Sequence, residues 1–336
     1  MTPLLAPASR LSAIALAVAL AHGPALAQDT LDADAKSYPN RTIRIIVPFP
    51  PGGPADIVAR FVGQRMSEDW GQPVVIENRA GGNTAIGAQA AARSSPDGYT
   101  LFAPMDTTMV MNPLVTPNLP YDPLKDFAPI TLLTKNMSLV VVRSDGPKTI
   151  KDLIARARAN PGKLNMGAGT ITSRLGALLF ARTAGIDVQL VPFKGSAEIG
   201  QAVLARTVDF ALDSTGTSLP LIQAGQYRAL AKYSNRPLPI LPDLPSLGAA
   251  ADLPGLDESS TWVALVAPAG TPPAIIDNIH REVARVYGDH AMISRLEKAG
   301  ILAVGSSSPA EFAAFIRNET ERWSQVLREN GNIKLD

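Results

Sequence analysis

The 336-residue chain has no cysteine and only three histidines. Without cysteine it has no disulfide, no thiol nucleophile and no thiolate metal site. His22 lies in an N-terminal stretch that reads as a removable leader, which leaves His280 and His290. On one continuous helix these two would project about 80° apart around the axis, so they form a poor metal pair and are expected to face solvent. A Ser-His-Asp triad or a zinc hydrolase has little to build with, and there is no Gly-x-Ser-x-Gly elbow. The expectation is no catalytic residue, no metal and no cofactor. An excess of charge is also missing, with 31 Lys+Arg against 30 Asp+Glu, and Arg10 leaves with the leader. No cluster of Lys/Arg with interleaved aromatics appears, so nucleic acid and anionic lipid are poor partners.

Long apolar runs are missing too. Leu11–Ala21 is unbroken and apolar but shorter than the ~20 residues a spanning helix needs. With one positive charge before it and Ala25-Leu26-Ala27 after it, it reads as a secretory leader cut after Ala27. Gln28 follows the cut, so there is no thiol to carry a lipid. The expectation is an exported, soluble protein of the 309 residues from Gln28 to Asp336, enough for about two domains.

Beyond a polar spacer to Ser37, strand, loop and helix alternate. Thr42–Val47 is β-branched, and Ile57, Val58, Phe61, Val62, Met66 and Trp70 then recur at helical spacing as far as Gly71. Further units follow to Ala231, which predicts an α/β fold with helices on both sheet faces. Two β-rich stretches break the rhythm, Ala128–Arg143 and Ser259–Ala267, the second after the proline-rich Arg236–Pro254. Read as crossings, they divide the chain into a discontinuous first lobe, residues 38–136 plus 257–336, and a second lobe, residues 137–256. Ser308-Pro309-Ala310-Glu311 reads as a capping box that opens a C-terminal helix packed on the first lobe.

The Pro/Gly loop Val47–Asp56 joins the first strand to the first helix. Such a loop brings backbone close to a guest, and the helix start offers unpaired N–H groups to an anion. Phe49, Gly53 and Ala55 are the expected contacts, with Asp56 capping the helix and pairing with Arg60. Val191–Ser196 repeats the device, and so does Gly167–Arg174, which adds hydroxyls and a guanidinium. Lys194 reads equally well as a ligand contact or a solvated charge. Arg174 stands near a helix start, where the dipole opposes a cation, and this points to an anionic guest.

Several motifs resemble one family closely. They are Val47-Pro48-Phe49 with Gly52-Gly53 and Asp56, Glu77-Asn78-Arg79 with Gly81-Gly82-Asn83 and Gly87, and Pro96-Asp97-Gly98-Tyr99-Thr100. Val191-Pro192-Phe193-Lys194-Gly195, Asp209 with Asp213, and Ala267-Pro268-Ala269-Gly270-Thr271-Pro272 complete the set. Over nearly its whole mature length the chain resembles the substrate-binding proteins of tripartite tricarboxylate transporters, the Bug family of periplasmic receptors. The resemblance implies a type II-like, two-lobed periplasmic binding fold, two sheets flanked by helices and joined by two crossing segments. It implies a monomer in the periplasm that closes on a small carboxylate and passes it to membrane permease subunits, without inserting in the membrane. It also implies that the first loop, Thr170 with Ser173, Phe193 with Lys194, and Asp213 line the cleft, joined by Thr107 and Trp262. The chain departs from the family in Arg174-Leu175 and Leu178, where His-Leu and then Glu are common, and in Phe193, where Tyr is frequent. These changes favour an anion with an apolar, aromatic or dicarboxylate body that could meet the faces of Phe49, Phe193 and Trp262. The alternatives are a receptor that signals to a membrane sensor and a secreted hydrolase with Asp213 or Asp56 as base.

Overall fold

The computed structural model describes residues 37–254, 256, 260–298 and 300–329. The leader, its expected cleavage site and the outer lobe limits at Asp257 and Asp336 lie outside the described residues. Residues 37–40 precede the fold and carry no helix or strand. From Arg41 onward the strands are β1 (Ile43–Val47), β2 (Val74–Asn78), β3 (Thr100–Phe102), β4 (Phe127–Arg143), β5 (Asn165–Ala168), β6 (Gln189–Pro192), β7 (Phe210–Ser214), β8 (Tyr227–Lys232), β9 (Ser260–Pro268) and β10 (Leu302–Ala303). Helices α1 (Pro54–Trp70), α2 (Ala85–Ala92), α3 (Asn112–Val115), α4 (Ile150–Ala159), α5 (Ile171–Ala184) and α6 (Ser196–Leu204) alternate with them. They are followed by α7 (Thr215–Gln223), α8 (Leu247–Ala251), α9 (Pro273–Tyr287), α10 (His290–Lys298) and α11 (Pro309–Glu329).

The sheet runs β2-β1-β3-β9-β4-β7-β5-β6, with β8 and β10 also paired to β4. The β2-β1-β3 group and the β6-β5-β7 group are internally parallel, as strand-helix-strand units require. Between them β4 and β9 run antiparallel. The 17-residue β4 changes partner midway: Phe127–Met137 pairs with β9, and from Ser138 onward it pairs with β7 and β8. One continuous strand thus carries the chain between the two parallel groups.

Local signals account for several helix ends. Thr149 and Asp152 form a reciprocal capping box that opens α4. Pro54 begins α1, and Gly71 ends it in the left-handed conformation. At α11, Ser308 Oγ accepts from the Glu311 amide, but the Glu311 carboxylate takes the Ser307 amide, one residue upstream of the expected partner. His280 and His290 do not share a helix, because α9 stops at Tyr287 and a new helix starts at His290. Nor is His280 simply solvated: it is half-buried, with Nε2 3.0 Å from the Ser306 carbonyl oxygen.

Two of the cores meet at α5. Ala177, Phe180, Ala181 and Ala184 pack with Val140, Met166, Phe210 and Leu212. Ile171 and Leu175, one to two turns earlier, pack instead with Ile46, Phe102, Trp262 and the α11 residues Phe312, Ile316, Trp323 and Leu327. The N-terminal turn of α5 is therefore anchored in a different core from the rest of the helix.

Candidate functional site: a ligand cleft at four strand-to-helix turns

Strands β1, β5, β6 and β7 each deliver the chain directly into a helix, so the starts of α1, α5, α6 and α7 border the same recess. Their N-cap residues are Gly53, Thr170, Gly195 and Ser214, and only Thr170 caps with its side chain, accepting from the Ser173 amide at 3.1 Å. The other three starts have no side-chain acceptor, so their first-turn amides have no capping partner.

The first loop is held from behind. Asp56 Oδ2 accepts from the Gly52 amide at 2.9 Å and from Arg60 Nε at 3.0 Å, while Oδ1 accepts from Asn78 Nδ2 at 2.9 Å. Asn78 Nδ2 also donates to the Phe49 carbonyl at 3.0 Å. Burial alone would raise the Asp56 pKa, but these donors hold it below the usual carboxylate value. Asp56 pairs with Arg60 as expected, but it restrains the loop amide of Gly52 instead of capping its own helix. Gly52 has φ +83, a left-handed conformation that glycine adopts without strain.

The inner recess brings together Phe49, Gly53, Thr170, Ser173 and Asp213 with an apolar wall that includes Ile199 and Leu212. An outer recess shares Phe49 and Thr170 and adds Thr107, Arg174, Phe193 and Lys194. Nine of the eleven expected site residues therefore line one or other of two recesses that share Phe49 and Thr170. Two do not. Trp262 is 1 % exposed, its ring edge-on to Phe312 at 6.0 Å and to Phe315 at 5.5 Å. Its side chain fills the core, because residues on β9 alternate faces and this one points at α11. Ala55 is fully buried and its side chain lines neither recess.

Several polar atoms here are buried without a hydrogen-bond partner: Thr107 Oγ1, Arg174 Nε, Asp213 Oδ1 and Ser214 Oγ. Buried polar atoms are ordinarily paired, and these four are candidates for polar contact with a guest. Arg174 Nη2 donates to Asn83 Oδ1 at 3.3 Å, and burial draws the guanidinium pKa below its ordinary value. Asn83 and Thr84 both hold positive φ, at 54° and 78°, an uncommon state for a β-branched residue. Asn112 Nδ2 sustains it by donating to the Asn83 carbonyl at 2.7 Å and to Thr84 Oγ1 at 3.1 Å.

Sequence reasoning missed Ser138, Ser196, Glu198 and Thr261, all of which line the inner recess. Ser196 and Glu198 sit in the first turn of α6, next to the quoted Phe193-Lys194-Gly195 motif, and could have been found from it. Ser138 and Thr261 lie on long crossing strands, where a lone hydroxyl carries no local signal. Asp106 was also missed. It is fully buried, accepts from Thr172 Oγ1 and from the Trp262 amide, and so ties the start of α5 to β9.

Residues 58–332 match the sequence profile described as "Tripartite tricarboxylate transporter family receptor" (TctC). Among curated relatives, Protein BugT of Bordetella pertussis is 33 % identical over 304 residues, covering 88 % of this chain and 91 % of BugT. An R. palustris protein solved with adipate superimposes with a TM-score of 0.84 at 32 % identity, covering 88 % of this chain and 99 % of its own. MatC from Rhodopseudomonas palustris, solved with bound malate, superimposes with a TM-score of 0.79 at 31 % identity, covering 86 % of this chain and 100 % of its own. With the sequence profile matched over most of its length and the fold shared with solved periplasmic binding proteins, this chain belongs to the TctC receptor family, whose members bind solutes and are not enzymes.

Proposed function

We propose that this protein captures a small carboxylate in the cleft between two lobes and delivers it to the permease of a tripartite tricarboxylate transporter. The observation that carries the reading is the convergence of four helix starts, three without a side-chain cap, on the inner recess, with Arg174 and Lys194 lining the neighbouring outer one. Uncapped N–H groups and the positive ends of helix dipoles attract a carboxylate, and an apolar wall suits its carbon body. The relatives solved with adipate and malate support an organic acid as guest. Phe49, Gly53, Thr107, Thr170, Ser173, Arg174, Phe193, Lys194 and Asp213 are the proposed contacts, with Ala55 offering its backbone alone. The two lobes are residues 38–136 with 257–336, and residues 137–256, hinged where β4 changes partner. The mature protein acts in the periplasm after cleavage behind Ala27, which the intact mass of periplasmic material reads directly.

A thermal-shift screen of mono- and dicarboxylates tests the reading. A ligand present at 100 times its dissociation constant adds about 2.7 kcal/mol to stability, a readily measured rise in Tm. A panel in which amines or neutral sugars stabilise the protein and no carboxylate does would refute it.

A further inference from the structure

Asp213, the penultimate residue of β7, lines the inner recess and is 3 % exposed. Its two oxygens are used differently. Oδ2 accepts from Ser218 Oγ at 2.9 Å and from Thr217 Oγ1 at 3.2 Å, both in the first turns of α7. Oδ1 is buried with no hydrogen bond of acceptable geometry, and the neighbouring Ser214 Oγ is likewise unpartnered. Burial raises the Asp213 pKa, and the hydroxyls of Ser196, Ser218 and Thr217 and the Ser214 amide only partly oppose it. A carboxylate in a receptor for anions is out of place unless it accepts something from the guest.

Three kinds of guest group could meet Oδ1. A second carboxylate would be repelled by like charge and desolvated with it. An ammonium would find charge partners in Asp213 and in Glu198 at the rim, but it would face the positive ends of the helix starts that border this recess. A neutral hydroxyl donates to Oδ1 without either cost. The uncapped start of α7 lies immediately after Asp213, so a carboxylate seated on those amides brings the carbon next to it toward Oδ1.

We propose that Asp213 makes this site select 2-hydroxycarboxylates, the guest hydroxyl donating to Oδ1 while the adjacent carboxylate rests on the α7 amides. The inference depends on the carboxylate-receptor reading and adds a discriminating group to it. A site built around a buried acceptor rejects the analogue that leaves it unpaired.

The test is calorimetry at neutral pH with pairs that differ by one hydroxyl: succinate and malate, glutarate and 2-hydroxyglutarate, phenylacetate and mandelate, with aspartate as the ammonium control. In whichever pair binds, the hydroxy acid should bind at least about tenfold more tightly, the effect of one hydrogen bond to a charged group. Asp213→Asn separates this role from a structural one. With Oδ2 holding two donors, the amide oxygen takes that side and the NH2 replaces Oδ1, turning acceptor into donor. The variant should still bind, but the preference within the pair should vanish or reverse. If Asp213→Asn does not fold, the wild-type ratio decides by itself. Equal affinities within a binding pair, or aspartate tighter than malate, overturn the inference and leave the receptor reading intact; a protein that binds none of the seven acids but is stabilised by another carboxylate in the thermal-shift screen overturns the inference alone, and one that no carboxylate stabilises removes both.

Discussion

Replacing Asp106 with asparagine changes one atom in the protein interior, and its effect on stability should depend on pH. Asp106 is 0 % exposed, and burial pushes its pKa from 3.8 to about 7; the Thr172 hydroxyl and the Trp262 and Thr107 amides oppose that rise, while the negative charge of Glu319 adds to it. The unfolded chain ionises this group near pH 3.8, so between that value and about 7 the folded protein keeps a proton that the unfolded chain has released. Folding then weakens as pH rises through the window, and the full cost is present above about 7. At about 1.4 kcal/mol per pH unit, the loss between pH 5 and pH 7 is on the order of 3 kcal/mol. The substituted side chain cannot ionise, yet its amide group can accept from the Trp262 N–H and bond to Thr172, so the geometry survives. Urea unfolding of both proteins at pH 5, 6, 7 and 8 gives the difference directly. Asp106→Asn should gain on the parent by roughly 3 kcal/mol from pH 5 to 7 and level off by pH 8. A difference that stays constant over this range would show that the carboxyl titrates alike in folded and unfolded chains, and would refute the argument.

Arg174→Ala should weaken carboxylate binding by about 1.5–3 kcal/mol, the range for hydrogen bonds to charged groups, and Arg174→Lys should recover only part because an ammonium cannot make two parallel bonds. Calorimetry decides, and affinity within twofold of the parent would mean that the backbone amides alone seat the anion. Gly87→Ala places a Cβ 2.7 Å from the Arg79 carbonyl oxygen and 2.8 Å from Pro48 Cβ, contacts that cannot be relieved without moving backbone. A loss of about 1–3 kcal/mol is expected in urea, together with weaker ligand binding because Pro48 leads into the first loop; an unchanged midpoint would show that the two segments separate freely.

Much of the fold was legible because its causes are local. Pro54 at the start of α1 and the β-branched run of β1 act within a few residues, and these elements formed where the periodicity put them, to within a residue or two. Helix α7 was not legible, because Pro220 lies inside it and reads as a breaker. Nor were α8, hidden in a proline-rich stretch, or the π-turn Thr107–Met111, whose irregular bonds leave Thr107 Oγ1 facing the outer recess.

The same division holds at the site. By itself the sequence determined the residue types at each strand-to-helix turn, the leader signal, and the absence of thiols and of a histidine pair, since each depends on composition or on neighbours in the chain. Tertiary structure alone decided which turns border one recess, that Trp262 turns to the core, that Asp106 bolts α5 to β9, and that Asp213 Oδ2 accepts from α7 hydroxyls while Oδ1 is left unpaired. Those outcomes depend on contacts between residues far apart in the chain, formed when β4 exchanges β9 for β7, and on burial, which removes the water that would otherwise have satisfied each polar group.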